Sequence, residues 1–238
     1  MRVVSNLPEI EKLRPSIETT LHAVMPQKYV AHTHSVNCIA NTIAESYKSE
    51  LETKLDGLNW GLVEYAKPGL PLTEGVRKVA NSGADVIVLA NHGIVVASHD
   101  VDKLHKKINE VEKRLHRPSR TIEKRIEYEK IHSLICDTEY ILPKYELAHA
   151  LALDEEIIKL ISYRSFYPDH VIFLGPGPMT LVNMEKAQQF VSLDNEKYKT
   201  IVIENVGVIV HRASSENIDG MLHCLANTLL RIHKNEKL

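Results

Sequence analysis

The sequence predicts an α/β fold, and three observations carry that reading. Short apolar or alternating stretches of strand length are interleaved with longer segments of helical periodicity. Twice an apolar strand turns through an Asn-x-Gly corner into another strand, in VLANHGIVVAS (88–98) and in VIENVGVIVHR (202–212). Each of these pairs is then followed by a helical pattern.

Taken in order, residues 1–14 are polar and read as irregular. In RPSIETTLHAVMP, Ser16 is a natural N-cap, and Ile17, Leu21 and Val24 keep helical spacing until Pro26 stops the turn. YVAHTH alternates, which puts Val30, His32 and His34 on one face of a strand. The period then changes: Val36, Ile39, Ala40, Ile43 and Tyr47 mark a helix that Ser35 can cap. The histidine pair therefore ends a strand just before a helix begins. DGLN (56–59) reads as a turn, WGLVEYA as a strand, KPGLP (67–71) as a loop and LTEGVRKVANSG as a helix closed by Gly83. After the first hairpin, Val101, Leu104, Ile108, Val111 and Leu115 form one helical stripe. Residues 117–139 are charged and poorly periodic, which reads as a linker or exposed arm. Beyond it the pattern predicts a helix around 145–163, a strand VIFLG (171–175), a GPGP loop, the second hairpin and a final helix near 215–233. The two hairpins fit a decayed internal repeat. They fit equally the general preference of tight hairpins for such corners. In the second, Val206 stands where His92 stands in the first. The expected division is a metal-binding domain over 1–116 and an extension over 117–238 packed on the same sheet.

Composition bounds the function. A chain of 238 residues can bury a core without staples, and a formal net charge of −2 advertises neither nucleic acid nor an anionic membrane as partner. Three cysteines, Cys38, Cys136 and Cys224, lie far apart, which suits a reducing cytosol and gives no thiolate metal spacing. No apolar run is long enough to span a bilayer and no signal-peptide pattern opens the chain, so a cytoplasmic location is expected.

The chemistry is carried by histidines. Residues i and i+2 of a strand project from one face, so His32 and His34 can bite a single cation. An isolated His-x-His is more often two unrelated histidines. A third imidazole, His92, sits at a corner beside Gly93, which permits a close backbone approach. Three histidines with one open position are the pattern of a catalytic rather than a structural zinc site. Glu18, at the start of a helix, either complements the helix dipole or serves as general acid/base beside the metal.

RPSIETTLH, followed by AHTHSVN and VLANHGIVV, resembles the class II aldolase and adducin superfamily, with its fuculose- and rhamnulose-phosphate aldolases. The resemblance runs from about Arg14 to Leu115. It implies a three-layer α-β-α fold with a mainly antiparallel central sheet. It also implies a divalent metal, zinc, on His32, His34 and His92, with Glu18 shuttling a proton. Ser16 would contact substrate phosphate, and Asn91 is taken as a further substrate-side residue at the His92 corner. The implied activity is retro-aldol cleavage of a ketose phosphate or related hydroxyketone, by a homo-oligomer that is tetrameric in relatives. Two alternatives stay open: an epimerase or dehydratase acting on sugar phosphates, and a non-catalytic adducin-like binding module. Ile17 stands where the family has a second phosphate-contacting serine, and the Gly-Asn-x-Ser turn of its longer N-terminal part has no counterpart here. The expectation is a chain that keeps the metal half of the site, with a separate N-terminal chain among its candidate partners. Four other features read as structural. These are His22, one helical turn from Glu18; Cys38, turned away by its helix; His170, at a strand start; and GPGP, a rigid loop.

Overall fold

The computed structural model describes residues 16–193, 197–234 and 236–238. The stretch expected to be irregular at the start of the chain, with Arg14, lies outside the described residues. The chain divides into two compact units, Met1–Cys38 with Leu51–Leu115, and Ile39–Glu50 with His116–Leu238. The fold is mixed α/β, built on two four-stranded sheets.

The first unit runs α1 (Thr19–Ala23), β1 (Tyr29–Thr33), the start of α2 (Val36–Thr42), the end of α3 (Tyr47–Lys54), β2 (Trp60–Val63), α4 (Leu70–Asn81), β3 (Val86–Leu89), β4 (Gly93–Ser98) and α5 (Val101–Leu115). Its sheet has the order β1-β4-β3-β2. The β1–β4 and β3–β4 pairs are antiparallel and β2–β3 is parallel, so the sheet is mixed with antiparallel pairs in the majority. Strand alternation sends Ile87, Leu89, Val95 and Ala97 into one cluster with Leu21 and Met25 of the α1 region and Leu72, Val76 and Ala80 of α4. Val86, Val88, Ile94 and Val96 point the opposite way and are equally buried, while α5 lies along β4 and β1. A strand covered on both faces has no polar side, which is why VIVLA is continuously apolar. Helix α4 starts with Pro71 in its first turn and ends before Gly83, whose φ of 96° is the left-handed stop expected from the sequence. Ser35 Oγ accepts the Cys38 N–H at 3.1 Å, capping α2 as its position predicts.

The second unit contains α6 (Tyr128–Ile135), β5 (Tyr140–Ile141), α7 (Ala150–Leu153), α8 (Glu155–Ile161), β6 (Leu181–Val182), α9 (Met184–Ser192), β7 (Thr200–Ile203), β8 (Gly207–His211) and α10 (Ser215–Leu229). Its strands form a sheet of their own, in the order β5-β8-β7-β6, again with two antiparallel pairs and one parallel pair, β6–β7. Ile201, Ile203 and Ile209 pack with α6 and α9, and Val202, Val208 and Val210 with α7, α8 and α10.

Three local expectations are corrected here. Most of residues 117–139 are exposed, as expected, but the stretch is not wholly irregular: Ile131 and Leu134, one turn apart, bury one face of α6. Arg117 is itself buried, donating to the Ala40 carbonyl at 2.7 Å and to Glu236 at 2.6 Å. VIFLG is not a strand; His170–Leu174 is a π-helical turn that follows Pro168, with Val171 and Ile172 exposed. A short apolar run does not by itself distinguish strand from helix. The helix expected over 145–163 is broken, because Asp154 leaves the helical region and caps α8 by accepting the Ile157 N–H at 2.9 Å.

Asp154 also holds Arg120, at 2.8 Å from Nη2. Asp154→Ala is therefore expected to lose about 2 kcal/mol of stability in chemical denaturation, combining a cap with a half-buried ion pair. Asp154→Asn keeps the cap and should lose roughly half of that. No helix among the described residues is long and apolar enough to cross a membrane.

Candidate metal centre

Three places in the first unit deliver four side chains. Glu18 stands just before α1, where its N–H is accepted by Ser16 Oγ at 3.2 Å. The helix opens at Thr19, later than Ser16 suggested, and is tied to α4 by a 2.6 Å bond between the Thr20 and Thr73 hydroxyls. His32 and His34 come from β1 and the residue beyond its end. His92 comes from the β3–β4 corner, where Asn91 adopts φ 55°.

The corner is pressed against β1. A Cβ on Gly93 would sit 2.2 Å from the Thr33 carbonyl oxygen and 3.1 Å from His34 Cα. Only a residue with no side chain lets the two backbones approach that closely, and this approach is what brings His34 beside His92. On the other side the fully buried Cys38 thiol donates to the Gly93 carbonyl at 3.1 Å, and burial raises its pKa so that it stays protonated. Cys38 thus supports the corner and is not among the clustered ligand atoms.

The three imidazoles converge through Nε2. His34 Nε2 is 3.1 Å from both His32 Nε2 and His92 Nε2, and the ring centroids lie 4.7 to 5.2 Å apart. Glu18 Oε1 is 2.9 Å from His92 Nε2, 3.5 Å from His32 Nε2 and 3.6 Å from His34 Nε2. All four donor atoms fall within 4.8 Å of one another. Zinc–nitrogen bonds of about 2.0–2.1 Å at tetrahedral angles would place ligand nitrogens about 3.4 Å apart, so the cluster fits such an ion. His32 shows why its ring faces inward. Its Nδ1 lies 3.0 Å from the Ile94 carbonyl, which can only accept; Nδ1 therefore carries the proton and Nε2 presents a lone pair to the cluster.

Burial lowers the pKa of His32, with the Ile94 bond and Glu18 acting the other way. Burial likewise lowers His92, helped by the neighbouring imidazoles and opposed by Glu18. Both effects favour the neutral ring, the form that binds a metal.

The residues named from sequence thus divide. Glu18, His32, His34 and His92 meet at one point. Asn91 shapes the corner through its backbone, and Ser16 spends its hydroxyl on the turn ahead of α1. His22 stands edge-on to His32 with ring centroids 6.4 Å apart. The Ile94 carbonyl escaped the sequence reading, because a backbone acceptor leaves no side-chain signature, and so did the supporting thiol of Cys38.

Residues 2–117 match the family model described as Class II Aldolase and Adducin N-terminal domain. A Bacillus subtilis (strain 168) protein named "Uncharacterized oxidoreductase YuxG" is 33% identical over 96 residues, which is 40% of this chain and 14% of that protein. The chain thus matches only a small part of that relative's length. Among solved structures, the N-terminal class II aldolase domain of a conserved protein from Thermoplasma acidophilum is 28% identical, over 42% of this chain and 46% of that one, with a TM-score of 0.38.

Proposed function

The first half of the chain belongs to the class II aldolase and adducin N-terminal domain family, and from that premise we propose that it is a metal-dependent aldolase that cleaves a ketose phosphate or related hydroxyketone. The observation that carries this reading is the meeting of three imidazole Nε2 atoms and one carboxylate oxygen within 4.8 Å. His32, His34 and His92 would hold a divalent ion, zinc by the chemistry of a three-imidazole set. Such an ion supplies positive charge where negative charge builds on a carbonyl oxygen as the adjacent carbon–carbon bond breaks.

The chain's own groups do the rest. Glu18, with 22% of its side chain exposed, can both reach the cluster and exchange a proton with a substrate, which suits a general acid/base returning a proton to carbon through Oε1 or Oε2. The Ile94 carbonyl keeps the His32 proton on Nδ1 and so holds that ring in its ligand tautomer.

Metal analysis of the purified chain should find one equivalent of a divalent ion, lost in His34→Ala and His92→Ala. Glu18→Gln should keep the metal and cleave at least about 100-fold more slowly across a panel of ketose phosphates. A chain that holds the metal and cleaves none of them would sink the enzyme reading and leave a binding module.

A further inference from the structure

The second unit repeats the strand order and pairing senses of the first. Its β7–β8 corner also repeats the first one's backbone, with Asn205 at φ 59° where Asn91 has 55°. The registers give residue counterparts. Val96 pairs with Ala31 and Val210, the same step beyond its corner glycine, pairs with Ile141. Leu142 and Lys144 therefore take the places of His32 and His34, and Val206 the place of His92. Counting back the same distance along the chain, Tyr128 takes the place of Glu18. The metal ligands are gone.

A cavity of about 640 Å³ opens beside the second corner; of these four counterparts only Tyr128 lines it, together with Lys124, Arg125, Glu146, His149 and neighbouring apolar residues. That is the size of a small-molecule pocket. His149 is 2% exposed, and its Nδ1 accepts the Val208 N–H at 3.0 Å. Burial lowers its pKa to about 4, so at neutral pH the ring is uncharged and its single proton sits on Nε2. No described residue accepts that N–H, and it belongs to a ring that lines the cavity. Tyr128 stands edge-on to His149, with centroids 6.1 Å apart. Lys124 holds Glu155 and the corner Asn205 at 2.9 and 2.8 Å, and among the described residues no acid pairs with Arg125. The wall thus offers one cation without an acid partner, Arg125, a second, Lys124, already paired with Glu155, a phenol, a buried N–H donor and one carboxylate.

We propose that this cavity is a second, metal-free binding site that takes a small hydroxylated oxyanion, a sugar phosphate or a sugar acid. The anionic group sits at Arg125, with the Lys124 of the Glu155 pair beside it, an acceptor oxygen takes the His149 Nε2–H, and a hydroxyl donates to Glu146. The same wall chemistry accepts a phosphate or a carboxylate, so the test uses one probe of each kind.

The full chain, stripped of metal with chelator, is titrated calorimetrically with glycerol 3-phosphate and with glycerate. Saturable binding of one equivalent of either probe is expected. It should persist in His34→Ala and weaken at least about tenfold in Arg125→Ala and in His149→Gln. The ¹⁵N resonance of His149 Nε2 should move on saturation. If His149→Gln does not fold, the exposed Arg125→Ala and Glu146→Gln give the same reading. The proposal is overturned if neither probe binds, if binding disappears with His34→Ala, or if Arg125→Ala and Glu146→Gln leave it unchanged.

Discussion

Gly93→Ala is expected to cost about 3–5 kcal/mol and to abolish the metal binding proposed above. The added methyl would lie 2.2 Å from the Thr33 carbonyl oxygen. That oxygen is backbone at the end of β1, held in register against Ile94, and cannot swing aside as a side-chain tip could. Relief requires the β1 end and the corner to separate, which moves His34 from His92. Stability and metal content should therefore fall together. Gly83→Ala is the control. Its φ of 96° is also unfavourable, but nothing lies within 4 Å of the added methyl, so about 1 kcal/mol is expected and the metal should stay. Trp60, the single tryptophan, lies in the same sheet, and its fluorescence in urea reports both variants. A Gly93→Ala chain as stable as the parent and still holding its ion would contradict the geometry of the corner.

Acid should unfold the second unit through two buried histidines. Burial lowers His149 and His170 from 6.5 to about 4. The unfolded chain takes up protons as pH drops below 6.5, while the folded unit resists until about 4. The stability is complete above 6.5 and is lost as pH falls through that window. Each group contributes up to about 1.4 kcal/mol per pH unit, so the pair removes on the order of 5 kcal/mol by pH 4. That is comparable with the whole stability of a typical domain. His170 packs against the rings of Phe166 and Tyr167 and neither of its nitrogens has a hydrogen-bond partner among the described residues. His170→Phe should therefore fold and flatten about half of the dependence. Denaturant midpoints between pH 7 and 4.5, followed through histidine proton resonances, measure it; a slope unchanged in His170→Phe would remove that residue from the account.

Much of the first unit was legible because its signals are local. Ser35 caps a helix three residues on, Gly83 stops one, and Leu72, Val76 and Ala80 share a face. The spacing of His32 and His34 places two imidazoles on one face at the end of β1, where they meet. The second unit was harder to read. VIFLG has strand composition yet coils into a π-helical turn, and α6 is too short for its period to rise above the charges around it. Arg117 looked like a solvated charge, but it is buried against a carbonyl and a carboxylate from distant parts of the chain.

Sequence alone determined the element types around both Asn-x-Gly corners and named the four residues that meet in the candidate metal centre, since hydrophobic period, caps and motif spacing are properties of neighbouring residues. Folding decided the rest: that Gly93 touches Thr33, that Ile94 sets a tautomer, and that Tyr128 and His149 line a cavity at the second corner. Those are distances between residues far apart in the chain, and packing, which no local pattern encodes, sets them.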